Sequence, residues 1–127
     1  MMTDDELEGI ETWTPVDVAK RYRYISTRMM ECVEKRRAIA EELPQLKSDL
    51  EHKVATTRIT EKAKGEKLTV SDLDAIVTVE TRQESLAYEL CKERKSAINA
   101  ELNALEEILG MLRSVGKDAR YMGGHNG

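Results

Sequence analysis

Few residues in this sequence have the chemistry that catalysis requires. The two histidines are His52, in a charged stretch, and His125, in a glycine-rich C-terminal run. An active site needs nucleophiles, bases or metal ligands that come together. No H-E-x-x-H, C-x-x-C, G-x-x-x-x-G-K-[ST] or G-x-S-x-G motif occurs. The sequence therefore predicts no catalytic residue and a protein that is not an enzyme.

Carboxylates are numerous enough to raise the question of a metal site. Glu residues at i, i+3 and i+4 spacing could imitate a di-iron bundle, but that site also needs Glu-x-x-His pairs, and the sequence has none. We expect no metal site and no cofactor. The two cysteines, Cys32 and Cys91, lie far apart in helical patterns, and a disulfide needs Cα atoms within about 7 Å. We expect two buried, reduced thiols.

Basic residues give a stronger indication of binding. Residues 53–67, here called the basic segment, contain five bases and two acids. The five bases are Lys53, Arg58, Lys62, Lys64 and Lys67. Repeated around an oligomer, such a segment would offer a positive surface to a phosphate backbone. The alternative is that these side chains only keep charged helices soluble.

Charge is unevenly distributed along the 127 residues. The net charge is −4, yet residues 1–19 hold six of the 24 acids and no Lys or Arg. The rest of the chain holds 18 acids and 20 bases, which gives it a net charge of +2. Residues 1–13 therefore form an acidic arm, expected to be flexible, that ends at Trp13. This asymmetry permits a polyanionic partner without requiring one. Trp13 is predicted to pack onto the first helix or to anchor a partner.

The composition is typical of long helices or coiled coils, because 35% of residues are charged, 4% are aromatic and none is Phe. A helix is predicted from Thr14 as N-cap and Pro15 in the first turn. Apolar positions then alternate in steps of three and four, with Arg36 and Lys53 as interruptions. These positions are Tyr22, Ile25, Met29, Cys32, Arg36, Ile39, Leu43, Leu46, Leu50 and Lys53. Pro44 predicts either a kink or two helices that meet at Leu43.

A second long helix is predicted after a turn at Gly65, with Ser71 as N-cap. Residues 72–84 could be its opening or a short separate helix. From Leu86 a second apolar stripe runs to Val115, and Gly116 is expected to end the helix. The stripe consists of Leu86, Leu90, Ile98, Leu102, Leu105, Ile108, Leu109, Leu112 and Val115.

These elements predict an all-α fold, a long antiparallel helical hairpin that resembles a coiled coil. The hairpin domain would span 14–122, with a helix at about 15–62, a linker at 63–71, a helix at about 72–115 and a disordered tail at 123–127. The helices would be about 72 Å and 66 Å long. Apolar residues beside the seams, Met30, Val33, Leu109 and Met111, predict a homo-oligomeric bundle or ring. The expected oligomer interface consists of Leu102, Leu105, Leu109, Leu112 and Val115.

No run of about 20 apolar residues suits a membrane span, and the acidic N-terminus is unlike a secretory signal. We therefore expect a cytoplasmic protein without a membrane partner.

Two segments resemble the phage recombination mediators of the UvsY type. One is Lys53-Val54-Ala55-Thr56-Thr57-Arg58-Ile59, which is similar to that family's basic K-V-A…R-[LI] stretch before a glycine-containing linker. The other is the run from Ala104 to Met122, similar to the family's leucine-rich helix, small-polar break and basic-apolar end. The likeness covers roughly residues 20–122. The family's aromatic residues after the Arg are replaced here by Thr60-Glu61-Lys62.

The resemblance implies a non-enzymatic protein that binds single-stranded DNA and loads a RecA-like recombinase. It also implies contact with the single-strand-binding protein, ring-like oligomers and, for a phage protein, the host cytoplasm. The alternative is a structural or adaptor coiled coil, for virion assembly or regulation, without nucleic-acid binding. An inhibitor that mimics DNA through the acidic arm is a third hypothesis, which the short arm and the body's charge of +2 disfavour.

Overall fold

The computed structural model describes the backbone of residues 14–125 and the side chains of residues 14–116. In this part of the chain the regular elements are all α-helices, which confirms the all-α prediction. Helix α1 spans Pro15–Ala63, α2 spans Val70–Glu80 and α3 spans Arg82–His125. The predicted acidic arm, with Trp13, lies outside the described residues, as do positions 126–127.

Helix α1 begins after Thr14, the predicted N-cap, which forms a capping box with Asp17. The Asp17 carboxylate accepts hydrogen bonds from the Thr14 backbone N–H and hydroxyl, both at 2.9 Å. The Asp17 N–H donates back to the Thr14 hydroxyl oxygen at 3.3 Å. This exchange satisfies donors that a helix start otherwise leaves without partners. Further along, α1 continues through Pro44, so the residues on both sides of that proline belong to one helix.

The connection between α1 and α2 turns at Gly65, whose φ of 75° lies in the region that glycine enters without a steric cost. Helix α2 is capped by Thr69, and the predicted cap at Ser71 is wrong. The Thr69 hydroxyl accepts from the Asp72 N–H at 3.0 Å, and the Asp72 carboxylate accepts from the Thr69 N–H at 3.3 Å. If Ser71 were the N-cap of a capping box, Asp74 would be the residue that bonds back to it. Asp74 instead forms an ion pair with Arg58.

The predicted second long helix is divided at Thr81, so residues 72–84 do not simply open it. The Thr81 backbone N–H and hydroxyl both donate to the Val77 carbonyl oxygen, at 2.9 and 2.7 Å, and α3 begins at the next residue. At its other end α3 continues past Gly116 to His125, which includes part of the predicted tail. Gly116 serves close packing, because a Cβ at this position would lie 3.1 Å from Val18 Cγ1.

The chain divides into two units, and each has its own core. The terminal unit comprises Met1–Arg36 with Ala97–Gly127, and the central unit comprises Arg37–Ser96. In the terminal unit α1 and α3 pack together through seven buried side chains. These are Ile25, Cys32, Leu102, Leu105, Ile108, Leu109 and Leu112. In the central unit Ile39, Leu73, Val77 and Cys91 are buried with two threonines, Thr57 and Thr81.

Burial along α1 follows the predicted stripe except at its start, where Tyr22 is 38% exposed. Ile25, Cys32 and Ile39 are buried, whereas the predicted interruptions Arg36 and Lys53 are exposed. Burial along the first half of α3 does not follow its predicted stripe, because Leu86 and Leu90 are 58% and 48% exposed and Cys91 is buried instead. Leu90 and Leu86 lie about 100° and 140° around α3 from the buried Cys91, so they cannot share its buried face.

Candidate nucleic-acid interface

The five predicted nucleic-acid-binding residues all belong to the central unit, but they do not form one patch. Lys53, Arg58 and Lys62 are held on the last turns of α1, while Lys64 and Lys67 follow its end. At 3.6 residues per turn, nine residues correspond to about two and a half turns, so Lys53 and Lys62 leave α1 on opposite sides. The basic segment therefore presents its charges in several directions.

Lys53 and Lys64 line the same polar groove, which has a volume of about 330 Å³. Positions 53, 57 and 60 are spaced by four and three residues, which places them along one face of α1, and Lys64 is the first residue after the helix end. Three threonines and two glutamates complete the lining. The full lining is Lys53, Thr56, Thr57, Thr60, Glu61, Lys64 and Glu80. We call this feature the lysine–threonine groove.

The threonines of this groove were not among the predicted site residues, although the sequence contains the signal. Their positions continue the helical spacing of Lys53 and Lys64. A hydroxyl group donates one hydrogen bond and rotates to suit its acceptor. Thr56 and Thr60 are exposed, whereas Thr57 is buried at 8% exposure. The groove therefore offers ammonium groups and two exposed hydroxyls on one surface.

Acidic side chains limit the positive charge at this groove. Lys64 donates to Glu61 at 2.9 Å, and this hydrogen bond raises the pKa of Lys64, so the amine stays charged. Glu66 and Glu80 act on Lys64 in the same direction. Residues 53–82 comprise the basic segment, α2 and the first residue of α3, and they hold six bases and five acids. The positive field is therefore local to the lysines and does not extend over the whole unit.

Arg58 faces a different groove. It donates to Asp74 at 2.9 Å, with the two side chains 40% and 54% exposed. Its groove has an apolar floor that includes Leu50, Val54 and Val77 and a volume of about 540 Å³. Among the residues that the structure describes, Lys53, Lys62 and Lys67 are exposed and carry no ion pair. They are the members of the basic segment best placed to meet an outside anion.

The predicted oligomer-interface residues require a correction. Leu102, Leu105, Leu109 and Leu112 are at most 9% exposed, because they form the core of the terminal unit with α1. Val115 is partly buried. Other apolar side chains are exposed instead. They include Met30, Met111, Ile59, Val79, Leu86 and Leu90, at 47–71%.

One polar cluster lies against the core of the terminal unit. Arg28 forms ion pairs with Glu31 and Glu101, and the Cys32 thiol donates a hydrogen bond to Glu101. Burial and the Glu101 charge raise the pKa of the Cys32 thiol, which disfavours the nucleophilic thiolate. Both cysteines are free and buried, as predicted.

The described residues contain no group of three or more His, Cys, Asp or Glu side chains that could hold a metal ion. Among the described helices, none combines the length and the apolar character needed to cross a lipid bilayer. No protein-family model, curated protein or solved structure matches the chain.

Proposed function

We propose that this protein is a non-enzymatic mediator of the UvsY type, whose central unit binds a single-stranded nucleic acid. The observation that carries the proposal is the lysine–threonine groove. Lys53 and Lys64 offer charge and Thr56 and Thr60 offer hydroxyl donors along the same groove. Most contacts that proteins make with a nucleic-acid strand are made to phosphate and sugar, by such side chains.

Binding in this account is electrostatic and independent of sequence. Lys53, Lys62 and Lys67 meet phosphates directly, which releases counterions from the strand. Arg58 contributes by exchanging Asp74 for phosphate, because that exposed ion pair is weak. Lys64 contributes its charge while it stays paired with Glu61, whose side chain is 14% exposed. The helix that carries Lys53 to Lys62 fixes their spacing, and the turn at Gly65 brings Lys64 and Lys67 after them. No aromatic residue stands beside these bases in the segment, so base stacking makes no contribution here.

The proposal includes an antiparallel hairpin that assembles as a ring or bundle. Its support is the order in which residues pair inside the terminal unit. Val18 lies beside Gly116 and Arg28 pairs with Glu101, so the numbers rise in α1 as they fall in α3. The exposed apolar side chains favour a second copy. Several copies, each with a weak groove, would hold one strand far more tightly than one copy does.

The remaining parts of the proposal come from the resemblance. They are loading of a RecA-like recombinase, contact with the single-strand-binding protein, and residence in the cytoplasm of a phage's host. Handing a strand over to a recombinase requires binding that is readily reversed, and surface lysines without aromatic stacking suit that requirement.

The test compares two triple variants with equal net charge. One replaces Lys53, Lys62 and Lys67 with Gln, and the matched control replaces three exposed lysines outside the basic segment, Lys20, Lys47 and Lys95, with Gln. Fluorescence anisotropy with a labelled single-stranded oligonucleotide at low salt measures the affinity of each. We expect the first variant to lose binding and the control to bind like the unmodified protein. Equal loss in both variants would show that only total charge matters and would refute the basic segment as the binding site.

A second function, a structural or adaptor coiled coil, is favoured by one observation. Leu86 and Leu90 are exposed on adjacent turns of α3, beside the apolar floor at Leu50, Val54 and Val77. An adaptor would use this surface for another protein and would have no affinity for nucleic acid. Undetectable anisotropy change for the unmodified protein at low salt, with an intact oligomer, would favour this function.

A further inference from the structure

The terminal unit contains an apolar groove that lies apart from the nucleic-acid interface. Its volume is about 480 Å³, and it lies between the first turns of α1 and the region of α3 around Leu112. Val18 and Leu112 are buried at its base, and exposed Arg23 and Arg113 stand at its edges. The other lining residues are Pro15, Ala19, Tyr22 and Gly116.

The groove is shaped by two features of the sequence. Gly116 lets α3 approach α1 closely, since a Cβ there would meet Val18 Cγ1 at 3.1 Å. The capping box of Thr14 and Asp17 fixes the direction in which the chain enters α1. The groove therefore opens directly beside the point where residue 13 joins the helix.

We propose that this groove is the docking site of the chain's own N-terminal segment, residues 1–13, with Trp13 as its anchor. Trp13 precedes the N-cap Thr14, and Val18 is the fourth residue of α1. A hydrophobic residue before an N-cap often packs onto that fourth residue, which fixes the entry of the chain. Here that fourth residue lies at the base of the groove.

Charge complementarity supports the same occupant. The segment carries five acids and no base. They are Asp4, Asp5, Glu6, Glu8 and Glu11. At the groove edges stand two guanidinium groups, from Arg23 and Arg113, which suit carboxylate partners. The segment thus has an apolar anchor, Trp13, with acidic residues on its N-terminal side. The groove has an apolar floor with cations at its edges, so the two surfaces are complementary. This inference does not depend on the proposed nucleic-acid function.

Trp13 is the one tryptophan of the sequence, so intrinsic tryptophan fluorescence of the full chain reports on it alone. The blocking variant is Ala19→Arg, which fills the groove from an exposed position, and the matched control is Ala40→Arg, at another exposed alanine of α1. We expect Trp13 in the unmodified chain to emit at shorter wavelength than in urea and to resist acrylamide quenching. Ala19→Arg should lower the ratio of chains with a docked Trp13 to chains with an undocked Trp13 roughly tenfold. This is the scale of change expected when one large apolar side chain becomes exposed to water. Ala40→Arg should change nothing.

Three results would overturn the proposal. The first is a Trp13 as accessible to acrylamide in the native chain as in urea. The second is the same quenching in Ala19→Arg and the unmodified chain. The third is protection that disappears on dilution, because it would assign the groove to the segment of a second copy. Arg113→Glu, an exposed charge reversal, provides the same comparison if Ala19→Arg does not fold, with Lys95→Glu as its control.

Discussion

At the scale of single residues, the cluster of Arg28, Cys32 and Glu101 joins the two long helices of the terminal unit. Burial raises the pKa of Glu101, but hydrogen bonds from Arg28 and Cys32 and the nearby positive charges together hold that pKa below its usual value of 4.5. A carboxyl group with a lowered folded pKa stabilises the native state above its unfolded pKa. That stabilisation is lost as the pH falls through the lower folded pKa.

We therefore expect acid to destabilise the unmodified chain more than it destabilises Glu101→Gln. Urea unfolding at neutral pH and at pH values below 4.5 measures the change in midpoint for each. Glu106→Gln, at an exposed position of the same helix, is the control and should keep the full acid sensitivity. An identical acid response in Glu101→Gln and the unmodified chain would contradict the assigned role of this carboxylate.

Two glycines should respond in opposite directions to the same substitution. Gly65 has a φ of 75°, so Gly65→Ala should lower the free energy of unfolding by about 1 kcal/mol despite open space around it. Gly110 lies inside α3 with nothing near its missing Cβ, so Gly110→Ala should raise stability by roughly 0.5–1 kcal/mol. Urea unfolding decides both signs, and a stabilised Gly65→Ala would be incompatible with the left-handed turn.

At the scale of elements, the sequence predicted α1 closely because its signals are local. The capping box at Thr14, the alternating stripe and the turn at Gly65 each depend on neighbours within one or two helical turns. The division at Thr81 was less predictable, since it depends on a buried hydroxyl that satisfies the Val77 carbonyl. Leu86 and Leu90 are exposed because the face of α3 that holds Cys91 is the buried one. Of the residues that line the lysine–threonine groove, the two lysines could be predicted from the sequence, because charge alone identifies them. The threonines can be identified only from the helical spacing that they share with Lys53.

The start of α2 offers a direct test of this local interpretation. Thr69→Ala removes the hydroxyl that accepts the Asp72 N–H and should cost about 1 kcal/mol of stability. Ser71→Ala, at the position that the sequence pattern suggests as the cap, should have almost no effect. Thermal or urea unfolding of the two variants separates them. A larger destabilisation by Ser71→Ala would restore Ser71 as the cap.

At the scale of the whole molecule, the exposed apolar side chains are the reason to expect several copies. Because Leu86 and Leu90 lie on adjacent turns of α3, one partner helix could cover both. Leu86→Gln with Leu90→Gln should therefore reduce the mass measured by light scattering to that of one chain. Val70→Gln, at a 76% exposed apolar residue, serves as the control and should leave the mass unchanged. Unchanged mass in the double variant would place the oligomer surface elsewhere.

The most direct test of the central claim is the salt dependence of single-stranded DNA binding, measured by anisotropy from low to high salt. For single strands, the slope of log K against log salt changes by about 0.7 for each phosphate that the protein neutralises. Replacing Lys53, Lys62 and Lys67 with Gln should therefore lower the magnitude of the slope by about 2 for each bound subunit. The control with Lys20, Lys47 and Lys95 replaced should keep the original slope. Binding whose slope is the same in the unmodified protein and the Lys53, Lys62 and Lys67 variant would contradict the account.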